Sequence, residues 1–158
     1  MNGNGNGNKP FAFGFACVDD RMVGHLDQRL CGAYGYNRVI IERRIGGPWQ
    51  CSSEATKQDR DSVAMALERA VEAFGDEVTG PLPIILTPHT TCRWVKKCGH
   101  RFKTPETEIR YLEHQLWEAE ADIVKRKGLV TKISLSACIT VLGPDGSLSL
   151  RKVALKQS

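Results

Sequence analysis

The segment HTTCRWVKKCGHRFK, from His89 to Lys103, gathers two cysteines, two histidines and five lysines or arginines within fifteen residues. Thiolate and imidazole are preferred ligands of zinc, so a metal centre is the first chemistry to weigh. The spacing is H-x2-C-x5-C-x-H and lacks the paired C-x2-C knuckle of structural zinc sites. On one helix, Cys92 and Cys98 would point ~240° apart at ~100° per residue, so both thiols cannot face one ion. Zinc is therefore not expected from His89, Cys92, Cys98 and His100 together, and a Cys-His catalytic dyad rests on residue types alone. The basic side chains offer a second chemistry. Arg93, Lys96, Lys97, Arg101 and Lys103 could neutralise phosphates, with Trp94 and His100 stacking on bases. The plainer reading is a solvated helix face with Trp94 in the core.

The acids form a separate set. Asp19 and Asp20 close the stretch FAFGFACVDD, a place where aspartate either ends a strand or serves chemistry. Asp59 and Asp61 stand early in a helical pattern, where the macrodipole favours acids. The GNGNG near the start precedes any strand, the wrong context for a dinucleotide loop, and no G-x-S-x-G elbow is present.

These residues are positioned by a series of elements. In FAFGFAC, Phe11, Phe13, Phe15 and Cys17 alternate onto one face of a strand. GYNRVIIERRIGG carries a β-branched second strand, and PWQCSS reads as a short third. Val63, Ala66, Leu67, Ala70, Val71 and Phe74 make a helical stripe within 56–74, and IILT follows as a central strand. A short basic helix over 91–98 precedes a helix over 105–126, capped by Thr104 and Pro105. KISLSACITVL and SLSLRKVAL form a C-terminal hairpin around the turn GPDG. The order β-β-(β)-α-β-α-α-β-β predicts an α/β fold, a mixed sheet with flanking helices.

At 158 residues the chain has the length of one domain, with residues 1–9 as a Gly/Asn tail and 10–158 as the folded unit. Hydrophobic residues at 41% and charged residues at 25% suit a globular protein rather than a membrane or fibrous one. No apolar run reaches the ~20 residues of a membrane span, and no leader-like segment follows Met1, so a cytoplasmic protein with no membrane partner is expected. The six cysteines are then expected to be reduced and mostly buried. A net charge of +4 is compatible with a polyanionic partner.

This order resembles the ribonuclease H-like superfamily over about residues 11–141. GAYGYNRVIIERRIGG is similar to its second strand, DRDSVAMALERAVEAF to its first helix, and RWVKKCGHRFKTPETE to its Trp-containing basic helix and loop. The resemblance implies a three-stranded antiparallel start. It also implies carboxylates that hold magnesium or manganese for phosphodiester hydrolysis. Asp19 or Asp20 takes the first carboxylate position. Asp61 lies beside the helical one, which falls on Ser62, and His89 stands near the third, where an aspartate is expected. The implied function is a nucleic-acid-binding domain, for DNA, RNA or their hybrid, with a divergent or inactive nuclease centre. The expectation from a different class is a non-enzymatic module that binds a protein, or a second copy, through helix 105–126 or the hairpin edge.

Overall fold

The computed structural model describes residues 9–19, 21 and 25–156. Most of the Gly/Asn tail and Asp20 lie outside the described residues. The elements are β1 (Lys9–Cys17), α1 (Leu26–Tyr34), β2 (Tyr36–Arg44), α2 (Lys57–Phe74), β3 (Leu82–Thr87), α3 (Arg93–Lys97), α4 (Pro105–Val124), α5 (Lys127–Val130), β4 (Ile133–Leu142) and β5 (Leu148–Val153). They build one five-stranded mixed sheet of order β2-β1-β3-β4-β5. The first four strands are parallel, and β5 returns antiparallel to β4 as the expected hairpin.

The start of the chain differs from the expected antiparallel meander. β1 and β2 pair in parallel, because α1 carries the chain back between them. That helix is short and polar, with Leu26 and Leu30 as its fully buried anchors and a left-handed Gly35 as its stop. PWQCSS forms no strand; Gly47–Cys51 is a 3-10 turn with Pro48 at its start.

Right-handed crossovers then dictate the layers. The chain steps outward from β1 to β2 across one face and returns past β1 to β3 across the other. Accordingly α1 packs on Ala12, Ala16, Val39, Ile85 and Cys138. The opposite face holds Phe11, Phe13, Phe15, Ile84 and Leu86 beneath α2 and α4. Ile109, Leu112, Leu116, Ala119 and Ile123 of α4 are all in this core. The apolar seam of the long helix is therefore used internally, as its core-facing pattern suggests. α4 ends at Val124, and Gly128 falls inside the separate turn of α5. No helix among the described residues is long and apolar enough to cross a membrane.

One close approach fixes the end of β1. Gly47 has φ +51°, and a Cβ there would fall 2.7 Å from the Cys17 nitrogen and 2.9 Å from the Ala16 carbonyl carbon. Gly47→Ala should lower the unfolding free energy by about 2 kcal/mol or more, read from urea midpoints. Gly80→Ala, also left-handed but with open space around it, should lose only the conformational ~1 kcal/mol.

Candidate metal centre

In a parallel α/β sheet, the crevice beyond the carboxyl ends of the strands, where the order reverses, is the natural ligand site. Here that point lies between β1 and β3. Their register aligns Ala16 with Thr87, so Cys17 at the end of β1 comes level with the loop Pro88–Cys92 that follows β3. The loop is tied to β4 by Thr140 N–H to Pro88 O at 2.8 Å, Thr90 N–H to Thr140 O at 3.0 Å and Leu142 N–H to Thr90 Oγ1 at 2.9 Å. Those bonds turn His89 inward, where it is 1% exposed.

The result is a convergence of three ligand atoms. One atom each from Cys17, His89 and Cys92 lie within 4.8 Å of one another, all three residues buried. Among the described residues they form the one such histidine, cysteine or carboxylate group. The two sulfurs are 3.9 Å apart. Two Zn–S bonds of ~2.3 Å at a tetrahedral angle would place them ~3.8 Å apart. His89 Nδ1 lies 2.8 Å from the Thr90 carbonyl oxygen, an acceptor, so Nδ1 carries the proton. Nε2, on the other side of the ring, is buried and has no hydrogen-bond partner. A histidine whose second nitrogen is pinned on a carbonyl is the usual arrangement behind a metal-ligating ring. Within the pair the Cys17 S–H beside Cys92 favours charge on Cys92 against the cost of burial, while Cys17 is pushed up in turn.

A fourth group stands at the edge. Asp19 Oδ2 is 3.7 Å from His89 Nε2, and the carboxylate is gripped by Arg21, with Nε to Oδ1 at 2.8 Å and Nη2 to Oδ2 at 2.5 Å. This bidentate fork holds the Asp19 carboxyl well below the usual range, with burial opposing. Arg21 also donates to Thr91, from Nη1 to Oγ1 and from Nη2 to the carbonyl, both at 2.9 Å. Thr91 is the sole non-glycine residue with positive φ among the described residues, at +57°. A β-branched residue in that region is strained. Its N–H is taken by Glu108 Oε1 at 2.5 Å. Two clefts flank the group. One of about 250 Å³ is lined by Cys17, Val18, Asp19, Ile45, Arg93 and Trp94. The other, about 340 Å³, is lined by Cys92 with Lys96, Arg101 and Glu108 among others.

The expected site residues divide. Asp19 and His89 come together; Asp20 lies outside the described residues. Asp61 does not join them. It is half-buried on α2 and bonded to Lys57 and Arg126. Arg93, Lys96, Lys97, Arg101 and Lys103 are exposed, as a phosphate-binding face requires. The two rings assigned to stacking are engaged within the protein instead. Trp94 packs on Gly46 and Trp49, and His100 bonds Glu54 at 2.7 Å and packs against Tyr111. Cys98 is exposed and outside the cluster. The candidate ligand missed in the sequence is Cys17, which alternation had placed on one face of the strand with Phe11, Phe13 and Phe15. The available signal was Cys17, Asp19 and Arg21 on alternate positions at a strand end, opposite an H-x2-C at another.

Because the Asp19 pKa is depressed on folding, its contribution is complete above its unfolded value of ~3.9 and is lost as pH falls toward the folded one. Stability measured by urea unfolding should therefore decline below about pH 4, and Asp19→Asn should flatten that decline.

No protein-family model matches the chain and no curated protein matches it, so the geometry of the Cys17–His89–Cys92 group is what carries the functional argument.

Proposed function

We propose that the protein is a zinc enzyme that adds water to a small electrophilic carbonyl substrate. Carbon dioxide is the smallest of that class, which makes the reaction one of the carbonic anhydrase type. The observation that carries this reading is the convergence of Cys17, His89 and Cys92 with the buried Nε2 aimed into the group. Soft thiolates and an imidazole suit zinc, whereas magnesium and manganese call for clustered hard oxygens. Asp61 bonds elsewhere, which is why metal-dependent phosphodiester cleavage is not favoured. Parallel pairing of β1 with β2 likewise departs from the ribonuclease H-like pattern.

Three protein ligands with a fourth position left for solvent or substrate are the mark of a catalytic rather than a structural zinc site. Zinc held there would supply an acidified water near neutral pH. The rest is contributed by the chain. The thiolates of Cys17 and Cys92 would balance the ion's charge, and Asp19, held by Arg21 beside His89, would accept a hydrogen bond from a group bound there. Val18, Ile45 and Trp94 give the smaller cleft an apolar lining suited to a neutral substrate. Lys96 and Arg101 give the larger one cations suited to an anionic product.

Purified protein should contain about one zinc per chain by elemental analysis, and Cys17→Ser, His89→Ala or Cys92→Ser should each weaken binding at least ~100-fold. Carbon dioxide hydration followed with a pH indicator should fall roughly 10–100-fold in Arg21→Ala. Sub-stoichiometric zinc would sink the metal reading. Full zinc without turnover of carbon dioxide or an activated ester would sink the hydration reading.

A second reading is favoured by one specific observation. Arg93, Lys96, Lys97, Arg101 and Lys103 make no ion pair with a carboxylate among the described residues. Such a free cationic face suits a nucleic acid backbone. Its affinity for labelled single-stranded RNA or DNA should fall steeply between 50 and 200 mM salt, by roughly 10- to 100-fold for these few phosphate contacts. Binding indifferent to salt would remove it.

A further inference from the structure

The Asp19 carboxylate has two alternatives: it can stay on Arg21, or swing onto the ion and close the fourth position. Its Oδ2 is 3.7 Å from His89 Nε2, and two ligands on one tetrahedral ion would be ~3.4 Å apart. Little motion separates the two states, so whatever fixes Arg21 sets the balance between them. Two of the bonds made by Arg21 go to Thr91, one to its carbonyl and one to its hydroxyl. Thr91 presents both groups because it is held at φ +57°, a conformation a threonine does not adopt unaided. The side chain that holds it comes from α4, where Glu108 Oε1 accepts the Thr91 N–H at 2.5 Å.

We propose that Glu108 is a positioning residue for the metal site: through Thr91 and Arg21 it keeps the Asp19 carboxylate off the fourth coordination position. The proposal rests on the zinc reading above. Without Glu108 the Thr91 N–H loses its acceptor, and the loop relaxes out of the left-handed region. The carbonyl and hydroxyl then turn away from Arg21, and Asp19 is released toward His89, Cys17 and Cys92. An oxygen acceptor at this position is the requirement, not its charge. Glutamine retains one, whereas alanine does not.

The test uses the full chain loaded with cobalt(II), whose visible spectrum reports coordination, and thiocyanate as a probe of the fourth position. Wild type and Glu108→Gln should bind thiocyanate with affinities within about threefold of each other, while Glu108→Ala should bind it at least ~10-fold more weakly. Adding Asp19→Ala to Glu108→Ala should restore binding, because the competing carboxylate is gone. If Glu108→Ala does not fold, Glu108→Asp, which withdraws the acceptor by one methylene, is read in the same way. Two results overturn the proposal: cobalt-loaded Glu108→Ala with wild-type thiocyanate affinity, or a loss that Asp19→Ala does not reverse. Failure of the wild type to take up cobalt defeats the metal reading and this proposal with it.

Discussion

Parallel pairing of β1 with β3 is the constraint on which the site depends. It lays the carboxyl ends of two strands side by side, and so brings Cys17 next to a loop that begins 71 residues later at Pro88. A meander would have sent the strand ends to opposite edges of the sheet. The crossovers that make the pairing parallel also place α1 on one face and α2 with α4 on the other. Both strands are thereby covered and can be apolar on each side, which lets their ends alone carry polar chemistry.

Around that point the polar groups form a chain of dependence rather than a list of contacts. His89 is fixed by the Thr90 carbonyl, Asp19 by Arg21, Arg21 in part by Thr91, and Thr91 by Glu108. Beneath it lies an apolar floor of Trp49, Ala55 and Val95 with Cys17 and Cys92. Such a floor excludes water and sharpens the electrostatics of anything held above it. The strain at Thr91 is retained because bonds from two other elements over-determine it.

Much of the α/β architecture was legible in the sequence. Alternation marked β1 and β4, an apolar stripe marked α2, and the cap at Thr104 marked α4, where its side chain accepts the Thr107 N–H. What escaped was α1, with two buried leucines and polar residues elsewhere, too weak a periodicity to register. Missing it turned a βαβ unit into an expected hairpin. The Cys17–His89–Cys92 cluster was half legible. H-x2-C was visible, but attention to Cys98 and His100 pursued ligands close in sequence. A parallel sheet recruits its third ligand from a distant strand, and one cysteine in an apolar run has no local mark that separates a ligand from a core residue.

The two sulfurs 3.9 Å apart have a consequence for how the chain is held together. They stand 75 positions apart in sequence, one near the start and one past the midpoint. An ion shared between them would act as a cross-link, and one that persisted on unfolding would remove about 4 kcal/mol of loop entropy from the unfolded chain. An ion released on unfolding would instead make stability rise with the logarithm of free ion concentration, so that metal supply would govern the abundance of folded protein as well as its chemistry.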